Sequence, residues 1–324
     1  MPVLDDLMYI GETPWTGLGT KFEKIPTSTN EIVEGAKLDW EVNLIPMKSD
    51  IHDHIMNYHA VYREDNNQVL GVVNTSNPAV VQNYDTFNAF DKLMKSNDIE
   101  LVTASSCAGG AKVFGCFKIN EEYKVADDDF QHYIVVINDH LKADGKVTVL
   151  NTPVRVICQN ALSQALSSSL IKYRIKCIAD DTINENLAQH ILNMEDRSKN
   201  YLIDKAADMI NKKVSRQHID KILDELFPYI KSTGDSTHDK ANERTELMRN
   251  TFIEKCLGAD NLANYAGTEY QVFNALTDFF QHYHSKPENG LDLDKRMNLL
   301  PGFGTSENLS KVNTFMKNKD KWIA

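Results

Sequence analysis

No apolar run in the chain approaches the ~20 residues needed to cross a bilayer, so no membrane span is expected. The opening residues Met1-Pro2-Val3-Leu4-Asp5-Asp6 lack a basic region followed by an apolar core, so no secretory leader is expected either. Cysteine is sparse. The five (Cys107, Cys116, Cys158, Cys177, Cys256) are odd in number, widely spaced and form no Cys-x-x-Cys pair. They read as buried free thiols in a reducing cytoplasm, that of a bacterial host. Positive charge is scarce in the first half: residues 1–150 hold 12 Lys+Arg against 23 Asp+Glu, a net −11, while residues 151–324 hold 23 of each. The chain as a whole is therefore at −11, which repels nucleic acid at long range and leaves only local potential to hold it.

What is present is ordinary globular material, 42% hydrophobic and 25% charged over 324 residues. Thr27-Ser28-Thr29-Asn30-Glu31 supplies an N-cap and an early acid for a short helix to Leu38. Strand-like runs follow at Trp40–Pro46, Tyr58–Arg63 and Val69–Val73, the last two joined by a turn at Glu64-Asp65-Asn66-Asn67. An amphipathic helix is predicted over Thr86–Ser96, then strands at Ile99–Ser105, Lys112–Ile119, Tyr133–Asn138 and Lys146–Asn151. Arg155–Cys158 reads as a strand, Asn160–Ser168 as a helix capped by Asn160, and Lys172–Ile178 as a strand. From Asp181 the apolar period becomes helical, with Ser215 capping a helix to Leu226 and aromatic helices after Thr268. The expected fold is α+β: an antiparallel-sheet domain over residues 1–180 and a helical region over 181–324.

Candidate chemistry centres on Arg155 and the run Ile171-Lys172-Tyr173-Arg174-Ile175-Lys176. In a strand, alternate residues share a face, so Lys172, Arg174 and Lys176 point one way, ~7 Å apart. Such a row tracks a phosphate backbone, with Tyr123, Tyr133 or Tyr173 near enough to stack bases. A solvent-facing strand with Ile and Tyr in the core explains the same alternation. Gly109-Gly110-Ala111-Lys112 leads into a strand where a phosphate cradle needs a helix, so it reads as a β-turn. His52-Asp53-His54 with His59, and His282-x-His284, read as surface histidines; Asp127-Asp128-Asp129 reads as solvated charge. Cys158 is expected to be buried and inert, and Cys107 more accessible but without an activator. No catalytic residue, metal or cofactor is expected.

Several segments together resemble the phage/plasmid-like protein family, the domain-of-unknown-function family numbered 932. They are Trp15-Thr16-Gly17-Leu18-Gly19, Leu38-Asp39-Trp40-Glu41-Val42, Val80-Val81-Gln82-Asn83, Gly109-Gly110-Ala111-Lys112-Val113-Phe114, Val154-Arg155-Val156-Ile157-Cys158-Gln159-Asn160 and Phe273-Asn274-Ala275-Leu276-Thr277-Asp278. Relatives often carry Arg-His where this chain has Arg174-Ile175, so no histidine role carries over. The resemblance implies a protein of phage or mobile-element genomes, found near recombination or anti-defence genes. Its first half is similar in outline to the Rad52-class single-strand annealing fold. Two functions are thereby expected as alternatives. One is a single-stranded DNA binding and annealing protein acting as a non-hydrolytic homo-oligomer, with Arg155, Lys172, Arg174 and Lys176 as contacts. The other is a non-enzymatic protein that binds a host or phage protein through its acidic first half.

Overall fold

The structure is a computed structural model that describes residues 4–11, 19–52, 54–125, 128–155, 160–161, 172–176, 181–231, 236–283 and 307–323. It is α+β, with strands toward the N-terminus and helices toward the C-terminus. Two compact units are distinguished, and they exchange segments along the chain. The first comprises Met1–Glu122, Gln131–Thr152 and Ser169–Ser198; the second comprises Tyr123–Phe130, Pro153–Ser168 and Lys199–Ala324.

The first unit begins with β1 (Leu4–Ile10), β2 (Thr20–Phe22) and α1 (Thr29–Gly35). Ser28 caps α1 by accepting from the Glu31 N–H, as the local sequence requires. A three-stranded antiparallel sheet follows, β3 (Val42–Pro46), β4 (Tyr58–Arg63) and β5 (Val69–Asn74). The larger sheet uses β6 (Ile99–Cys107), β7 (Lys112–Val125), β8 (Asp128–Asp139), β9 (Lys146–Arg155), β10 (Asn160–Ala161) and β11 (Lys172–Lys176). Its order is β10-β9-β8-β7-β6-β1-β2, with β11 also pairing β9.

The helix predicted over Thr86–Ser96 is instead two short ones, α2 (Asn83–Asn88) and α3 (Asp91–Lys95). The break is a tight turn in which the Phe90 N–H donates to the Phe87 carbonyl at 2.8 Å. It lets both phenylalanines, each fully buried, enter the same core, where Phe90 stacks on Phe117 at 4.7 Å. Met8, Ile32, Val61, Phe87, Val113, Phe117 and Val136 are among the buried residues of that core.

The β6–β7 turn carries Ala108, Gly109 and Gly110 at φ of 55°, 68° and 95°, three successive left-handed residues. This is the β-turn expected of the Gly-Gly pair. A Cβ at Gly110 would lie 2.9 Å from Trp40 Cη2 and 3.2 Å from Arg63 Cδ. Gly110→Val combines that crowding with an unfavourable φ, so a loss of at least about 2 kcal/mol is expected. Urea unfolding followed by Trp40 fluorescence, in a background where Trp40 is the remaining tryptophan, measures it.

The second unit packs helices. α4 (Asp181–Asn211) starts in the first unit and ends in the second. α5 (Arg216–Leu226) opens with a capping box between Ser215 and His218. α6 (Ser236–Thr251) runs into a π-helical turn at Phe252–Leu257, and α7 (Glu269–Asp278) into another at Phe279–Tyr283. α8 (Glu307–Trp322) closes the unit. Phe273, Phe279 and Phe280 are wholly buried, which makes the aromatic helix a core element.

Candidate nucleic-acid interface

The predicted cationic strand is β11. It lies antiparallel to β9 in the register Lys172↔Leu150, Arg174↔Thr148 and Lys176↔Lys146. Ile175 is half-buried and packs against the first core, while Arg174 and Lys176 are exposed. Alternation thus puts these two cations on the outward face. The side chains of Lys172 and Tyr173 lie outside the described residues, as do those of Arg155 and Tyr123; Tyr133 on β8 is half-buried. Arg155 ends β9, where its backbone pairs with Asn160, and it belongs to the second unit.

Two neighbours were not foreseen from the sequence. Lys146 is exposed and directly opposite Lys176. Directly opposed like charges disfavour the sheet, so stability alone does not account for the pair. Asp144 accepts from Arg174 Nη2 at 2.8 Å and sits 2.5 Å from Nη1, a bidentate pair with both side chains 36% exposed. At that exposure the bridge adds little to stability, but it fixes the direction of the guanidinium. The candidate interface therefore consists of Arg174, Lys176 and Lys146, with Asp144 as an internal counter-ion.

A second polar cluster lies in the same unit. His140 begins the 3-10 turn His140–Lys142 and is 1% exposed. Asn83 donates through Nδ2 to the Leu38 and Trp40 carbonyls, each at 3.0 Å. Its Oδ1 must then accept from His140 Nε2–H at 3.2 Å, which leaves Nδ1 as a buried acceptor with no partner. The Trp40 ring meets the imidazole edge-on at 5.8 Å, and the Arg63 guanidinium lies 4.1 Å above the Trp40 ring. Burial drives the His140 pKa down to about 4. At neutral pH it is an uncharged strut linking β8 to α2 and the approach to β3.

With this geometry in place, comparison with family models matches residues 69–301 to the family described as Domain of unknown function (DUF932). The chain belongs to this family. No curated protein and no solved structure matches the chain. The DUF932 match begins at β5, so it takes in β11, Lys146 and His140 but leaves out β3 and β4.

Other residues of this DUF932 chain behave less simply than their sequence pattern. Cys107 is buried, at 1% exposure, where access was expected from its small neighbours. The reason is its place at the end of β6, between β1 and β7: Leu4 and Lys112 are its partners. Burial pushes the Cys116 thiol up to about 12. Burial, with the Asp278 carboxylate beside it, pushes Cys256 up as well. Cys158 and Cys177 lie outside the described residues.

Asp128, expected to be solvated, is 3% exposed and accepts from Tyr270 Oη at 3.0 Å. Asp129 pairs with Lys124 at 3.2 Å, and Asp127 lies outside the described residues. Asn160 is in β10, not at a helix start; the rest of the predicted Asn160–Ser168 helix, from Leu162, is outside the description. His54 and His59 approach edge-on at 6.5 Å, yet no group of three metal-ligating side chains occurs among the described residues. Asp53 and His284 are outside them. Among the described residues no helix is long and apolar enough to cross a membrane.

Proposed function

We propose that this chain binds and anneals single-stranded DNA as a phage or mobile-element recombination protein, in a non-hydrolytic homo-oligomer. The observation that carries the reading is the opposed Lys146–Lys176 pair with Arg174 beside it on one exposed face. Two ammonium groups facing each other across a ladder gain from an anion between them, and a phosphodiester supplies one at each step of a strand. Annealing needs no catalytic group: a backbone held by cations leaves bases free to pair. The local cations offer what the net charge of −11 denies at long range. Likeness to the Rad52-class fold belongs to this proposal.

Binding of a labelled oligo-dT strand tests it. Arg174→Ala with Lys176→Ala is expected to weaken binding and to make the salt slope shallower by roughly 1.4, two phosphate contacts at about 0.7 each. Melting temperature is expected to stay nearly unchanged, because both side chains are exposed. Asp144→Asn is expected to act oppositely, tightening binding by freeing the Arg174 fork. An unchanged salt slope in the double variant contradicts the assignment.

A further inference from the structure

The two faces of the small sheet differ sharply. Val42, Val61 and Val73 point into the first core, and Gly71 on the same face packs against Leu141. The opposite face is apolar and open. Its central cross-strand row is Ile45–Ala60–Val72, with Ile45 49% and Val72 50% exposed. The adjoining row is Asn43–Tyr62–Val69, where Val69 is 60% exposed. Met56, 76% exposed, extends the surface into the β3–β4 connection. Scattered apolar residues on a surface are normal, but contiguous cross-strand rows form a patch of the kind that marks an interaction site.

Along the outward positions of the strands, charge is confined to one end. The Glu64 N–H donates to the Glu41 carbonyl at 3.0 Å, which continues the ladder one step past β3 and β4. Alternation from inward Val42 and its partner Arg63 turns both glutamates to the open face, opposite one another. Both are exposed, and the Glu64 carboxylate also accepts from Asn43 on that face. Like charges so placed work against the sheet, as at Lys146–Lys176. None of the outward positions of β3, β4 and β5 is Lys or Arg: Arg63 is turned inward, over Trp40, and pairs with Asp65. At the far end the connection holds Lys48 beside Asp50, so a second copy of this chain brings no net cation to the glutamate end.

We propose that this face docks a cationic amphipathic segment of another protein. Its apolar side chains lie along Ile45–Ala60–Val72 and its lysines or arginines meet Glu41 and Glu64. The inference is independent of the DNA reading, since it uses a different sheet and charge of opposite sign. Of the outward rows, the β3 and β4 residues precede the matched family region, while Val69 and Val72 on β5 fall within it.

The test is fluorescence anisotropy with a labelled helical peptide of about 14 residues, leucines on one face and lysines on the other. The full chain is expected to bind it, and to bind poorly the same peptide with glutamate in place of lysine. Val72→Asp, and separately Glu41→Lys with Glu64→Lys, are expected to weaken binding at least about ten-fold, with unchanged circular-dichroism melts because these positions are exposed. Binding of both peptides alike, or variants that bind like the parent, overturns the proposal. Light scattering that shows a dimer dissolved by Val72→Asp assigns the face to a second copy and overturns it too. Loss of oligo-dT binding in Val72→Asp does the same, assigning the face to DNA. Failure of oligo-dT binding with the peptide results intact touches only the DNA reading.

Discussion

Glu269→Ala is expected to cost the second unit about 3–5 kcal/mol. Glu269 opens α7 with 1% of its surface exposed, and its carboxylate is hydrogen-bonded to the Lys319 ammonium from α8. Lys212 adds a more distant contact, 3.9 Å from the other oxygen, and is itself shared with Asp208 and Asp320. The first turn of a helix also favours an acid. Removing the carboxylate leaves Lys319, whose side chain is only 12% exposed, without its closest partner and with only the more distant pull of Asp208. A buried charge stripped of its partner is far more costly than the pair is stabilising. The double change Glu269→Leu with Lys319→Met is therefore expected to recover most of the loss. Trp322, 4% exposed and 6.3 Å from Phe315 in the second core, reports unfolding of this unit separately from Trp40 in the first. A double variant no more stable than Glu269→Ala contradicts this account.

Acidification is expected to remove about 3 kcal/mol of stability from the first unit through His140. Its folded pKa is lowered from 6.5 to about 4 by burial. Between those values the unfolded chain takes up a proton that the folded chain refuses, so stability falls as pH drops. The contribution is complete above pH 6.5, declines from there to about pH 4, and is level below. The magnitude follows from about 1.4 kcal/mol per pH unit over that gap. No carboxylate is hydrogen-bonded to the His140 ring: Asn83 Oδ1 takes the one N–H it has, and the contact with Trp40 is a T-shaped one at 5.8 Å. The adjacent Asp139 carboxylate has Lys112 at 3.8 Å and Lys142 at 3.9 Å from one of its oxygens. His140→Phe leaves Asn83 Oδ1 unpaired, at about 1–3 kcal/mol. It is expected also to abolish the fall in stability between pH 6.5 and about 4 that His140 causes in the parent. Denaturant midpoints of both from pH 7 to pH 4 give the answer, and parallel curves contradict it.

Much of the architecture was legible in the chain because local signals and tertiary demands agreed. Ser28 and Ser215 cap helices where their neighbours require it, and the Glu64–Asn67 turn joins antiparallel strands. The aromatic run after Thr268 is buried. Disagreement arose where packing overrode periodicity. The Thr86–Ser96 pattern is helical in spacing, but seating Phe87 and Phe90 together breaks it in two. Asn160 is an apt capping residue, yet pairing with Arg155 makes it a strand residue.

Of the candidate interface, the alternation of Arg174, Ile175 and Lys176 was readable because period two survives in any strand. Lys146 and Asp144 were not, because only the β9–β11 register brings residues about thirty positions apart face to face. His140 was silent for a related reason. Its missing partner is a consequence of tertiary packing around Asn83 and Trp40, and no spacing along the chain records it. The carboxylate pair Glu41–Glu64 could have been found from the sequence by extending the hairpin register one step.

The central claim, local cations holding single-stranded DNA on an acidic protein, is tested most directly by anisotropy of a labelled strand of ~30 nucleotides. The titration is run at about 50 mM and about 200 mM salt, with light scattering on the same sample. The account predicts binding by a multimer that weakens steeply as salt rises. No binding at the lower salt, where electrostatic attraction is strongest, contradicts it.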